Sequence, residues 1–299
     1  MAERVAGMRD RAAAIRTTPT PEAVHQVRVS ARRLYAALGV FKPLLLFPGH
    51  GRPLRRIERR FGRTRDLDVL CARLTTGSAE DAVVAAAAGG LRSDLESERS
   101  DLLEAALGAL QDPRYRRLMR RLGTWMARPR YGPPGMLSLE ATAPDLLLPE
   151  LSRLLLHPGW GVEQVPQPDD PTARPLHALR RQVKAFRYQA ECFSAWYGDG
   201  VVDWLEDLHR LQDALGDWHD EGLLLAALDA AGAPAGLIAA ARGRATLAVA
   251  GWREWRARHL DPGARAALRG LLETGAPGAR RAVGPAAPAG SGSSPRPLP

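Results

Sequence analysis

The chain has 299 residues, 45% of them apolar and 25% charged, enough to bury a sizeable core in one large domain or two ordinary ones. No apolar run approaches the roughly 18 residues that cross a bilayer, and Cys71 and Cys192 give neither a disulfide framework nor a metal-ligand spacing, which argues against a spanning protein, a disulfide-stapled scaffold and a thiolate metal centre. The net charge is +9, and the 45 residues from Pro21 to Arg65 hold 11 basic and 2 acidic side chains, so this stretch alone carries a surplus equal to that of the whole chain.

The first ten residues carry both charge signs and no apolar segment, so a signal peptide is not expected and a cytoplasmic location is. Helical periodicity runs through almost every segment and strand alternation through almost none, so the expected fold is all-α. Thr17-Thr18-Pro19-Thr20-Pro21 interrupts the pattern, and Thr20 ahead of Pro21 predicts a capped helix start. On that helix His25, Arg28 and Arg32 lie within about 60° of one another, while Val27, Leu34, Leu38 and Phe41 centre about 140° away as a core face. After a break at Pro48-Gly49-His50-Gly51, the next helix sets Arg52, Arg55, Arg56, Arg59 and Arg63 on one stripe, with Leu54, Ile57 and Phe61 behind it. Gly89-Gly90 is read as a further break, and Asp94 to Glu104 as a helix with interspersed acids. Gly132-Pro133-Pro134-Gly135 makes another turn, and Gln164 to Pro171 a connector, with a helix start at Asp170-Pro171. Beyond it His177, Arg180, Lys184 and Arg187 share a stripe opposite Leu179, Val183, Phe186 and Phe193. The helix from Val201 to Trp218 offers His209 and Arg210 but also Asp213 and Asp217. Trp252 and Trp255 in a late helix are expected core anchors, and both cysteines buried thiols. From about Gly275 the chain is Gly, Pro, Ala and Ser with a few Arg, which predicts a disordered tail.

An internal repeat emerges from this pass. His25-Gln26-Val27-Arg28 with Arg32 matches His177-Ala178-Leu179-Arg180 with Lys184, and Gly62 with Asp66 matches Gly216 with Asp220. The expected organisation is therefore a first helical half over 1–163 with its motif at 25–70, a second over 164–274 with its motif at 177–221, and the tail over 275–299.

Of the 42 basic residues 40 are Arg, a bias that a genome rich in G and C alone produces. Its placement asks for more, because like charges three and four residues apart on a helix cost a few tenths of a kcal/mol per pair. Arginine presents forked donors that grip phosphate oxygens two at a time and keeps its charge at any physiological pH. Histidine at the head of each stripe adds a donor and would gain charge in mild acid. A row of such forks suits a repeating phosphate chain.

His25-x2-Arg28-Val29-x2-Arg32-Arg33-Leu34, then Leu54-Arg55-Arg56-Ile57, then Gly62-x2-Arg65-Asp66-Leu67-Asp68-Val69-Leu70 resemble the first half of the conserved-histidine α-helical domain, called CHAD. His177 to Tyr188, with Lys184, Arg187 and Tyr188 in place, resembles its second half, and the likeness covers roughly residues 5 to 260. The resemblance implies two four-helix bundles related by a pseudo-twofold axis around a basic central groove or pore. It also implies binding of inorganic polyphosphate, in some members at polyphosphate granules. The ligands it implies here are Arg28, Arg32, Arg55, Arg56, Arg59, Arg63, Arg180, Lys184 and Arg187, with Arg33 and Arg210 as further candidates and His25 and His177 either contacting ligand or fixing a helix end. Tyr35 stands where the family often has another basic residue, and Asp213 takes the place of Arg59 in the second half, so binding is expected to lean on the first.

An enzyme is the first rival. The Glu-x-Glu-x-Lys of the triphosphate-hydrolysing domain that often accompanies the family is absent, as are a P-loop, a dinucleotide fingerprint and a nucleophile elbow. Asp66 with Asp68, and Asp217 with Asp220, are expected to pair with arginines such as Arg65 rather than to hold Mg²⁺. No cofactor or catalytic residue is assigned. Nucleic acid, or polyanions in general, is the second rival, disfavoured because Phe41, Phe61, Phe186 and Phe193 lie behind the basic stripes rather than among them. An acidic protein or anionic lipid surface is the third, and no amphipathic insertion helix stands out to support a membrane partner.

Overall fold

The computed structural model describes residues 1–47, 51–76, 82–197 and 199–274; the expected tail from 275 and most of the break at 48–51 lie outside them. In chain order the helices are α1 (Ala2–Thr17), α2 (Pro21–Val40), α3 (Arg52–Thr76), α4 (Ala82–Ala109), α5 (Pro113–Ala127), α6 (Leu139–Leu155), α7 (Arg174–Ala190), the single turn α8 (Ser194–Tyr197), α9 (Asp199–Ala230), α10 (Ala235–Ala248), α11 (Trp252–Leu260) and α12 (Pro262–Thr274). The described residues form no strand, only one isolated bridge between Leu45 and Tyr131. The fold is all-α, as expected.

Helix starts follow capping chemistry. The Thr20 hydroxyl accepts from the Ala23 N–H at 3.2 Å ahead of Pro21, and Asp112 accepts from the Arg114 N–H at 2.8 Å ahead of Pro113. Asp170 accepts from the Thr172 N–H at 2.7 Å, but the turn it opens is 3-10, Pro171–Ala173, and α7 begins only at Arg174. Gly89-Gly90 proves not to be a break: both lie inside α4, exposed and with nothing within 4 Å of an added Cβ. Each costs about 1 kcal/mol relative to Ala, which the burial of Leu95 and the part-burial of Leu91 and Leu102 against α3 offset.

Three apolar clusters organise the molecule. The first joins α1, α2, the start of α3 and α5 around Met8, Ile15, Val27, Leu34, Ile57 and Phe61. The second joins α6, α7, α9 and α12 around Leu147, Leu151, Val183, Phe186, Leu208 and Leu215. The leucines of α6, inside the expected first half, pack on α7 and α12, and Val40 at the end of α2 joins the same cluster. A third cluster is shared, with Leu67, Leu70, Leu74 and Leu95 meeting Leu224, Leu225 and Leu228. Trp252 is buried and stacks on Trp160 at 5.7 Å, the anchoring role expected, and Trp255 is partly buried beside it. Cys71 and Cys192 are half-buried rather than buried.

Candidate anion-binding site

The four helices that carry the repeated motifs close on one another: α2 packs on α3 and α7, and α9 packs on α7 and α3. Each turns its apolar stripe to a core, as the sequence pattern requires, and part of its charged stripe to the middle of the molecule. Arg28 and Arg32 from α2, Arg180 and Lys184 from α7, Asp66 from α3 and Asp220 from α9 lie close enough to perturb one another there. Burial, reinforced by Arg32, lowers the Arg28 guanidinium. Burial also lowers Arg180 to about 10, and burial together with Arg32, Arg180 and Arg28 lowers the Lys184 ammonium to about 7. Burial pushes the Asp66 and Asp220 carboxyls up, against the pull of the neighbouring cations.

Hydrogen bonding there is incomplete in a patterned way. The Nε groups of Arg28 and Arg180, which hold the same position in the two repeats, are both buried donors without an acceptor. Arg28 reaches Asp66 only at 4.0 Å. The four cations face Asp66, Asp220 and, through Arg32, Glu58, and two donors lack acceptors, so a bound phosphate oxygen would supply the lone pairs that are missing.

The acids named in the sequence are ion-paired, through Arg28, Arg99 and Arg73 rather than Arg65. Asp68 pairs with Arg99, and Arg73 of α3 reaches Asp217 at 2.8 Å, Asp220 at 3.9 Å and the buried Glu221, which also holds Arg244 at 3.0 Å. Among the described residues no group of three or more His, Cys, Asp or Glu is arranged to hold a metal ion.

His177 Nε2 lies 3.0 Å from the Pro168 carbonyl oxygen and so donates to it, pinning the connector; its Nδ1 then accepts from His219 Nδ1–H at 3.3 Å, with the Trp218 ring at 4.6 Å. Burial lowers His25 and His177, and burial with Arg180 lowers His219 to about 3. In all three burial is the leading cause, and neighbouring cations add to it. His219, which the sequence left without a role, thus buttresses the cluster.

The structure brings His25, Arg28, Arg32, Arg180 and Lys184 together, with His177 one residue back behind His219. Arg32 also pairs with Glu58. Arg33 and Arg187 are engaged instead in the seam between α2 and α7: both pair with Glu191, Arg187 also donates to Gln212 at 3.0 Å, and the buried Tyr188 ring receives Arg187 at 4.5 Å. Arg210 pairs with Asp207 on the exposed side of α9, together with Arg258 at 2.5 Å. Arg55 and Arg63 are exposed on α3, and Arg56 and Arg59 line an outer groove of about 590 Å³ between α3 and α5, with Arg56 held 2.9 Å from Asp112.

That groove shows what the charge count concealed. Arg114, Arg117 and Arg121 of α5 line its far wall, and the stretch 113–131 holds seven Arg and no acid. The balance of basic and acidic residues outside Pro21–Arg65 is an average that hides this cluster; a windowed count would have found it.

Among curated proteins, none matches the chain. Two solved structures that it resembles are the CHAD domain from the plant Ricinus communis, at 24% identity over 91% of this chain and 88% of that one with a TM-score of 0.60, and PptA from Streptomyces chartreusis, at 21% identity over 91% of this chain and 98% of that one with a TM-score of 0.54. Both likenesses are of fold. Residues 1–229 match the sequence profile of the CHAD domain, a span that takes in both repeated motifs and the helices around the central cations, and the chain belongs to that family.

Proposed function

We propose that the protein is a non-catalytic binder of inorganic polyphosphate, which it holds where α2, α3, α7 and α9 meet. Arg28, Arg32, Arg180 and Lys184 contact the phosphates, His25 stands at the edge, and His177 with His219 fixes the α7–α9 side. The observation that carries this reading is the matched pair of buried, acceptor-less Nε groups on Arg28 and Arg180. A ligand with phosphate at every unit offers each of them an oxygen without bases or sugars to accommodate. Arg55, Arg59 and Arg63 stand on the exposed length of α3, where a longer chain would leave the cluster. Membership of the family supports the same ligand. Association with polyphosphate granules in the cytoplasm would follow from such a site.

The test is a titration with long-chain polyphosphate at near-physiological salt, with single- and double-stranded nucleic acid as competitors. Arg28→Gln/Arg180→Gln is expected to weaken binding at least about tenfold, and Arg55→Ala/Arg59→Ala less. Equal competition by nucleic acid would reduce the protein to a general polyanion binder. Unchanged affinity in Arg28→Gln/Arg180→Gln would move the site away from the centre.

A further inference from the structure

Five of the nine large apolar side chains exposed among the described residues gather at one end of α5: Leu46 at 58% exposure, Tyr131 at 46%, Met136 at 77%, Leu137 at 61% and Leu139 at 42%. In sequence they fall in two distant segments, and backbone pairing joins them. Leu45 bridges Tyr131, the Leu46 N–H donates to the Arg130 carbonyl at 3.0 Å, and the Gly132 N–H donates to the Leu44 carbonyl at 3.0 Å. Residues Pro133–Met136 form a 3-10 turn seated against this pair: a Cβ on Gly135 would stand 2.5 Å from the Leu44 carbonyl oxygen. The apolar tips are thus carried on a braced turn.

Cations rim them. A neighbouring groove of about 550 Å³ is lined by Trp125 and by Arg117, Arg120, Arg121, Arg128 and Arg130, and no acidic residue occurs from Pro113 to Leu139. Trp125 lies edge-on to Tyr131 at 6.1 Å, and its indole N–H is buried without a partner. Among the described residues no helix is long and apolar enough to cross a membrane, so any lipid contact here is with a surface.

Exposed apolar tips, interfacial Tyr and Trp, and a rim of arginine are the chemistry of shallow docking on anionic lipid. A nucleic-acid strand would use the arginines and leave Met136 and Leu137 in water. We propose that this end of α5 docks the protein on an anionic phospholipid surface. Met136, Leu137 and Leu46 enter the interface, and Arg117, Arg120, Arg128 and Arg130 grip headgroup phosphates. The site shares no residue with the central cluster.

The full chain would be co-sedimented with phosphatidylcholine vesicles, with and without phosphatidylglycerol. Binding is expected only to the anionic vesicles, and Met136→Asp/Leu137→Asp and Arg128→Gln/Arg130→Gln are each expected to weaken it about tenfold or more. The altered side chains are all surface ones, so helix content and polyphosphate affinity of the first pair should stay at wild-type values. Absence of vesicle binding by the wild type would overturn the proposal. So would binding that survives the Met136/Leu137 pair, which would mark a purely ionic contact. A wild-type dimer that this pair converts to monomer would assign the patch to self-association instead.

Discussion

Lys184 concentrates the physics of the site in one side chain. Its amine takes up a proton near 10.5 in the unfolded chain and near 7 in the fold, because burial and three arginines oppose the charge. Between those values the unfolded chain carries the additional proton, so the stability of the ligand-free protein should rise as pH increases from about 7 toward 10.5. Below about 7 both states are charged and the full penalty is present. A polyanion reverses the preference, so affinity should fall as pH is raised from 6 to 8.5. Lys184→Met is expected to raise the melting temperature at pH 7, weaken polyphosphate binding and flatten its pH profile, all measurable by thermal melts and titrations at several pH values. Stripe geometry located Arg28, Arg180 and Lys184 because each holds a fixed angle to a core face. It could not foresee that Arg187, only three residues beyond Lys184, is buried against Gln212 and Glu191, since that depends on which helix arrives alongside.

Among the elements, α2 and α7 meet across a seam in which Glu191 serves two arginines and Tyr188 lies under a third cation, Arg32, at 5.8 Å. Glu191→Ala leaves the buried Arg187 without its carboxylate and should destabilise the fold by about 1–3 kcal/mol, read from denaturant midpoints. On α4 the opposite change is available. Gly89→Ala/Gly90→Ala adds methyl groups into open space on a helix and should stabilise by about 1–2 kcal/mol in total. Helix existence, the cap at Thr20 and the core faces of α2, α3 and α7 were legible because periodicity and capping are local. The Gly-Gly pair misled because its cost is smaller than what a 28-residue helix recovers through contact with α3.

For the molecule as a whole, duplication was visible in the sequence as two motifs at nearly equal offsets, yet the way the halves share apolar surface was not. Leu67, Leu70 and Leu74 complete no core of their own half; they are covered by α4 and by leucines of α9. A fragment of residues 1–137 should therefore expose that row and be recovered as aggregate or as a dye-binding, poorly packed species, measured by solubility and dye fluorescence, while residues 1–274 should remain folded.

The ion pair of Arg73 with Glu221 spans 148 residues of chain. During synthesis, the far end of α3 must wait until α9 has left the ribosome, which at about 5–20 residues per second takes roughly seven to thirty seconds. Over that interval a leucine row covered by α4 alone and an unanswered guanidinium are offered to whatever chaperone surrounds the growing chain. The native contacts of α3 therefore cannot all form before the second half has been translated.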